Sequence, residues 1–427
     1  MTSVVAFDPA RALCTRVAPA SFSIDIALLG CGNVGSAFAA LAQLQSPERQ
    51  VRITHALMRD CRRPRPTLHP AAARIDNGAA VFATPPDVLV ELLGGIEPAR
   101  SLVVEALHRG IPVVTANKSL LAAHGAELRD VATRTSTPLL YEAAVIAGVP
   151  FLGTFGRRPH AASVTGLLGI ANGTSNYVLT RARDGRCGID LPLADAQRLG
   201  YAEPDPSKDI DGIDAAEKLV VLLQHFAALD IQTASLETTG IRCIDARDID
   251  HAAELGGTIK PLISADWSGR LHAFVGPAFV PSRHVLAAVD GAENAIVLSG
   301  SRGRLVFRGP GAGPDVTAAT VMDDVFEAVT TARPVAFPTL KPGEAVSPET
   351  SWLVTLSGAQ LPGGIEIADL LASHGVYLRR TTETVGGARQ SFGALTWPAP
   401  RPKIDGALWA LAAAAVCEPK LFRALEG

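Results

Sequence analysis

Over the first third of the chain, short runs of buried-type residues alternate with stretches of helical pattern. Residues 24–29 (IDIALL) predict a strand that runs straight into Gly30, and residues 36–44 (SAFAALAQL) predict a helix of small and straight-chain residues. Further strands are predicted over 51–58, 88–93 and 111–115, with a helix over 102–108 and a Pro/Arg-rich loop at 61–66. This alternation is the pattern of parallel βαβ units. After Pro150 the character changes. Polar and glycine-rich segments (169–173, 200–212) surround one strongly periodic helix, 214–229. Beyond a Pro-rich stretch at 333–348 a third pattern begins. It reads as strand (351–357), helix (365–373), strand (376–381), strand (390–397) and helix (404–416), a compact βαββα order.

The fold class implied is α/β: a doubly wound Rossmann-type sheet, an α+β domain, and a C-terminal βαββα module. The expected division is a flexible extension at 1–22, a dinucleotide-binding domain at 23–148 with a return segment at 309–340, a substrate domain at 149–308, and the module at 348–427.

Composition narrows the function classes. Of 427 residues 48% are hydrophobic and 19% charged, enough to bury a large core and too apolar for a mainly disordered chain. The net charge is −3 and no block of five basic residues occurs, which places nucleic-acid binding well behind other classes. The apolar run at 407–417 falls short of the roughly 20 residues of a membrane span. The six cysteines (14, 31, 61, 187, 243 and 417) form no CxxC pair, so the expectation is free thiols in a reducing cytoplasm. The first 22 residues carry Arg11 and Arg16 without a continuous apolar segment, unlike a secretory signal.

Gly30-Cys31-Gly32-Asn33-Val34-Gly35 is a GxGxxG at a predicted strand–helix junction. In such a turn Gly30 permits the bend, Gly32 lets backbone approach a pyrophosphate, and Gly35 lets helix and strand pack, while the helix N-terminus offers free N–H groups. Asn33 and Val34 complete the turn. After the second strand comes Arg59 and then Asp60, with Arg62 and Arg63 beyond. A basic residue there suits the 2′-phosphate of NADP(H), and Asp60 keeps NAD(H) open.

Several further segments are distinctive: VELLGG (90–95), TANK (115–118), YEAAV (141–145), GIANGTSNY (169–177), LGYAEPDPSKDIDGIDAAEK (199–218), AELGGTIK (253–260) and GPGAG (309–313) with Thr317-Ala318. In this order, from about residue 24 to 330, they closely resemble homoserine dehydrogenase. The tail from about 350 resembles an ACT domain, with Leu361-Pro362-Gly363-Gly364 leading into its first helix. The resemblance implies reversible NAD(P)H-dependent reduction of L-aspartate 4-semialdehyde to L-homoserine, on the way to threonine, methionine and isoleucine. An ACT-like tail implies an amino-acid effector, with L-threonine feedback as the expectation. A homodimer or homotetramer is also expected.

The residues can be matched to that chemistry. Reducing an aldehyde needs a group that neutralises the developing alkoxide, and the ammonium of Lys218 is protonated near neutrality. Asp214, four residues earlier, projects from the same helix face, and Leu219, Leu222, Leu223 and Phe226 mark the apolar stripe that anchors the helix. Lys118 lies in a strand-end loop, where open α/β sheets place ligands, and is a second candidate for cofactor contact or proton transfer. The resemblance assigns Glu203 and Asp209 to the substrate, with Tyr201, Gly173 and Thr174 nearby, and Gly311 to the cofactor. It also places a monovalent cation (Na+ or K+) at Glu142 and the carbonyls of Val145, Ala147 and Val149. Ile146 stands there in place of the usual glycine, and a β-branched residue does not take φ > 0 cheaply.

Two other readings use the same residues. A non-catalytic sensor could bind NAD(P) and an amino acid, but it has no need of a proton donor. Another NAD(P)-dependent amino-acid or hydroxy-acid dehydrogenase would share the glycine turn. A phosphorylating semialdehyde dehydrogenase needs a nucleophilic cysteine, and none here sits in a recognisable catalytic setting.

Overall fold

The computed structural model describes residues 22–44, 49–156, 164–300, 303–330, 349–384, 389–415 and 417–425. The expected N-terminal extension, apart from Phe22, and the Pro-rich stretch at 333–348 lie outside them.

The first unit runs β1 (Phe22–Leu29), α1 (Asn33–Gln43), β2 (Arg49–Leu57), β3 (Ala73–Ile75), β4 (Val88–Glu91), α2 (Ala99–His108), β5 (Val113–Thr115), α3 (Lys118–Thr135) and β6 (Leu139–Leu140). Its strands form one parallel sheet in the order β3-β2-β1-β4-β5-β6. The chain direction across the sheet reverses between β1 and β4, which opens a crevice at the strand ends where the glycine turn sits. Strands β4 and β5 are buried along their whole length, so they read as unbroken apolar runs.

The middle unit runs α4 (Leu152–Gly156), β7 (Val164–Ile170), α5 (Gly173–Gly185), α6 (Asp190–Arg198), α7 (Ser207–Ile210), α8 (Ile213–Ala227), β8 (Glu237–Thr238), α9 (Ala246–Glu254), β9 (Gly257–Asp266), β10 (His272–Pro281), β11 (Glu293–Gly300) and β12 (Gly303–Pro310). Helix α10 (Pro314–Thr330) then packs back onto α1, burying Val321, Met322 and Val325 with Ile24, Leu28 and Phe38. Within the expected return segment at 309–340, residues 314–330 thus form a helix against the first unit.

The tail runs β13 (Ser351–Gly358), α11 (Gly364–Ser373), β14 (Leu378–Thr384), β15 (Gln390–Thr396), α12 (Arg401–Ala414) and β16 (Cys417–Ala424). The order is thus βαββαβ, one strand more than the sequence pattern suggests. Pro419 and the charged Glu418, Lys420 and Arg423 disguise the last strand. Pro419 is tolerated because β10 pairs with β16 only at Arg423 and Ala424, so along most of its length β16 hydrogen-bonds to β13 alone. Through that short parallel seam the tail joins the middle unit in one sheet, ordered β12-β11-β7-β9-β10-β16-β13-β15-β14.

Two boundaries differ in an informative way. Helix α1 begins at Asn33, not 36, so the second half of the GxGxxG is already helical. Strand β14 begins at Leu378, and Val376, although fully buried, precedes it. Among the described residues no helix is long and apolar enough to cross a membrane. Cys31, Cys61, Cys187, Cys243 and Cys417 are all free thiols.

Candidate active site

The three glycines of the turn have different neighbours. Gly30 has φ +96°, and a Cβ there would lie 2.5 Å from the Leu92 carbonyl oxygen. A Cβ on Gly35 would run into the Gly30 carbonyl oxygen. Gly32 has nothing within 4 Å of where its Cβ would be. Protein packing therefore demands the first and third glycines, and the second leaves open space for a ligand. Gly32 is the N-cap of α1 and supplies no side-chain cap, which leaves the N–H groups of the first turn available. These features fit a dinucleotide pyrophosphate.

A cleft of about 290 Å³ leads from this turn to the second unit. Val34, Gly94, Lys118, Lys218, Gly311 and Thr317 all line it. The segments contributed by the glycine turn, the end of β4, the start of α3, helix α8 and the GPGAG loop thus share one opening. A Cβ on Gly311 would collide with the side chain of Asn294, so the loop can approach only as glycine.

At the cleft wall a polar cluster is held by α8, which is buried from Asp214 to Ala227 except at the half-buried Glu217. Lys218 Nζ lies 2.9 Å from Asp214 Oδ2 and donates to the Ala171 carbonyl at 2.6 Å. Lys118 Nζ lies 3.1 Å from the other Asp214 oxygen. One buried carboxylate therefore bridges two ammonium groups. Burial alone would push the Asp214 pKa up, but the charges of Lys218 and Lys118 override it and hold it down to about 2. Lys118 shows the converse: desolvation opposes its charge, and the Asp214 carboxylate raises its pKa.

Asn172 completes the cluster, and sequence reasoning passed over it. Its Nδ2 donates to Asp209 Oδ1 at 2.8 Å and to Asp214 Oδ2 at 2.9 Å. Its Oδ1 meanwhile caps α5 by accepting from the Ser175 N–H. An Asn before a helix reads as an ordinary cap, and nothing local betrays the two distant carboxylates. Asp209 is half-buried; desolvation raises its pKa against the lowering hydrogen bond from Asn172.

Lys118 is fixed from two sides. Asn117 caps α3 and donates to the Gly95 carbonyl at 2.7 Å, and it also bonds the fully buried Glu91. Ser119 donates to the Glu217 carboxylate at 2.9 Å, tying α3 to α8. Thr174 donates to the Tyr201 carbonyl at 2.7 Å, and the half-exposed Tyr201 ring lies 4.9 Å from that of Tyr177. Gly173 admits no Cβ, which would sit 2.7 Å from the Ala292 carbonyl oxygen. Glu203 is the outlier. Its side chain is exposed, and its carbonyl accepts from Gln197, so no described contact draws it into the cluster. Arg59 is exposed beyond β2, and Asp60 turns back to accept from the Arg62 N–H at 2.9 Å.

Two of the four groups matched to a cation site, the Glu142 carboxylate and the Ala147 carbonyl, are otherwise engaged. Glu142 accepts the N–H groups of Phe151, Leu152 and Gly153 at 2.7, 2.8 and 2.7 Å, which uses most of its lone pairs. The Ala147 carbonyl accepts from the Thr320 hydroxyl, and the Val149 N–H turns inward to Ile146. Val145 and Ala147 line the cleft. Ile146 is fully buried and is not among the residues with positive φ, so the loop carries no strain there. In this arrangement the set does not fit a cation held chiefly by Glu142.

Comparison with known proteins agrees with this architecture. Residues 30–142 match the family model described as the NAD binding domain of homoserine dehydrogenase, and residues 150–326 match that described as homoserine dehydrogenase. The homoserine dehydrogenase of Lactococcus lactis is 36% identical over 323 residues, covering 72% of this chain and 74% of its own. The chain belongs to the homoserine dehydrogenase family. The Synechocystis homoserine dehydrogenase is likewise 36% identical, over 322 residues and 73% of its length. The crystal structure of a homoserine dehydrogenase from Thiobacillus denitrificans superposes with a TM-score of 0.85 at 30% identity, over 96% of this chain and 99% of that one. A hyperthermophilic archaeal homoserine dehydrogenase in complex with NADPH shares the fold, with a TM-score of 0.62 at 24% identity, over 75% of this chain and all of that one.

Proposed function

We propose that this homoserine dehydrogenase interconverts L-homoserine and L-aspartate 4-semialdehyde with Lys218 as the group that gives and takes the hydroxyl proton. A bound nicotinamide supplies the hydride or accepts it. The observation that carries the reading is the position of Lys218: buried, on the wall of the cleft that starts at the glycine turn, and 2.9 Å from an ionised Asp214. In the reducing direction the Lys218 ammonium protonates the developing alkoxide, and in the oxidising direction the amine takes the proton back. Asp214, 2.9 Å away, orients that ammonium. Lys118, on the other Asp214 oxygen, adds positive potential beside the reacting oxygen.

The substrate also carries an α-ammonium and an α-carboxylate. Asp209 has lone pairs beyond the one that Asn172 engages, and with Glu203 it forms the anionic side of the site; Thr174, Gly173 and Tyr201 supply the adjoining wall. Gly30, Gly32, Asn33, Val34, Gly35 and Gly311 hold the dinucleotide, and exposed Arg59, with Arg62 and Arg63, selects NADP(H) through its 2′-phosphate. Asp60 accepts the Arg62 N–H through Oδ1, so its own loop takes up part of its capacity to receive a ribose hydroxyl. No step is assigned to a monovalent cation.

The βαββαβ tail, with strand order β16-β13-β15-β14, has the topology expected of an ACT-like regulatory module. We assign it L-threonine feedback in a homodimeric or homotetrameric enzyme. Inhibition of the full-length enzyme by L-threonine tests this, and an unaltered rate at saturating L-threonine refutes it.

A spectrophotometric assay with homoserine and either NADP or NAD tests the central reading. Reduction of the cofactor is expected with both, faster with NADP. Lys218→Ala is expected to keep cofactor affinity and lose about 10²–10⁴-fold in kcat, the span general acid–base catalysis supplies. A wild-type rate in that variant removes Lys218 from the role.

A further inference from the structure

A second cavity, of about 330 Å³, opens between the central sheet and the tail and shares no lining residue with the active-site cleft. Its floor is apolar, with Phe279 of β10 and Leu395 of β15. Three arginines line it: Arg283, just after β10, and the consecutive pair Arg379 and Arg380 of β14. Neighbouring residues of a regular strand point to opposite faces. Here Leu378 pairs with Thr396 and Arg380 with Leu395, so Arg379 is the extra residue of a β-bulge. The bulge is what lets both side chains serve one cavity.

The arginines are held rather than neutralised. Arg380 Nη1 donates to the Leu255 carbonyl at 2.6 Å, and the Arg379 guanidinium lies 5.3 Å from the centre of the Trp397 ring. Gly256, at φ +85°, follows Leu255 and keeps the approach of Arg380 open. Among the described residues no acidic side chain lines the cavity, and none of the three arginines has a described ion pair with a carboxylate. Ser351 also lines the cavity; it is 5% exposed, and its hydroxyl has no hydrogen-bond partner among the described residues. A buried hydroxyl without a partner is costly, so an acceptor supplied from outside would relieve it.

We propose that this cavity binds a small organic anion: a carboxylate bearing a short aliphatic group and no ammonium. The guanidinium groups and the Ser351 hydroxyl receive the carboxylate, and Phe279 and Leu395 receive the aliphatic part. An α-ammonium would meet three guanidinium groups with no carboxylate to balance it, so a free amino acid does not fit here. The site is therefore separate in ligand class from any amino-acid effector site of the tail, and it stands whether or not the tail mediates feedback.

Isothermal titration of the full-length protein with isovalerate is expected to show saturable binding at one site. Arg379→Ala and Arg283→Ala are each expected to weaken it about tenfold, the loss of one charge-assisted contact, with the ligand-free dehydrogenase rate and melting temperature unchanged. Should Arg379→Ala melt early, Arg379→Gln keeps the stem over Trp397 and serves the same comparison. L-Threonine is expected not to compete. The site is refuted if isovalerate gives no saturable heat, or if both arginine variants bind it as tightly as the wild type does. Tighter binding of inorganic phosphate than of isovalerate would overturn the apolar half of the assignment, and competition by L-threonine would overturn the exclusion of ammonium.

Discussion

Two groups of buried carboxylates lie within this chain and behave in opposite ways. Around Lys218, Asp214 is buried between two ammonium groups and an amide, and its pKa is held down to about 2. At the junction of α10 with the first unit, Asp324 and Glu142 are also buried, and desolvation raises both pKa values, that of Asp324 strongly. Asp324 accepts the Glu142 N–H at 3.0 Å, and the negative neighbours Glu142, Glu327 and Asp323 work against its ionisation. Burial is common to both groups. What differs is the sign of the charges beside them, and that sign decides whether the upward push of burial on a carboxylate is overridden or reinforced.

The comparison can be broken most severely at Asp214. Asp214→Asn leaves two ammonium groups facing a neutral amide, and loss of one partner from a buried ion pair costs about 3–5 kcal/mol. Urea denaturation at neutral pH is expected to show that loss, with kcat falling alongside it. The pH dependence has a definite sign. A depressed folded pKa gives stability that is present above the ordinary value of 3.8 and disappears as pH falls through about 2, so the gap between wild type and Asp214→Asn should close across that window. A gap that is constant with pH would mean that Asp214 is not ionised in the folded protein.

Glu142→Gln is expected to have a smaller effect, about 1–2 kcal/mol, because an amide oxygen can still accept some of the three N–H bonds at α4. The same variant sharpens the cation question. Replacing Na+ and K+ by a bulky organic cation should change the wild-type rate little; a wild-type rate that collapses without alkali cation while that of Glu142→Gln is indifferent to it would show that Glu142 has a metal-binding role after all. Asp324→Asn is expected to have the least effect at neutral pH, under about 1 kcal/mol or a slight gain, since it removes a group whose ionisation is already opposed. Its sign is opposite to that of Asp214. A carboxyl with a raised folded pKa destabilises as pH rises above its unfolded value, so Asp324→Asn should flatten the fall in stability on the alkaline side. Thermal melts from pH 4 upward follow it.

Parts of this site were legible because they are local. GxGxxG followed by a helix, and an Asp four residues before a Lys on an apolar helix, are short-range patterns whose geometry follows from backbone periodicity. Asn172 was not legible as a bridge, since its two carboxylate partners lie 37 and 42 residues away. The junction acids depend on a contact across 182 residues. Arg379 and Arg380 read as a plain basic dipeptide, and only the bulge aims them together. Strand β16 was missed because Pro419 argues against a strand, an objection that fails where the neighbouring β10 does not pair.

The seam between β10 and β16 bears on how the chain tolerates shortening. Since β16 is inserted between the central sheet and β13, truncation after residue 416 would remove the keystone of the joint. It would bare Leu353 and leave β13 with an unpaired edge along its whole length, so such a truncation product is expected to precipitate before it could display any change in regulation.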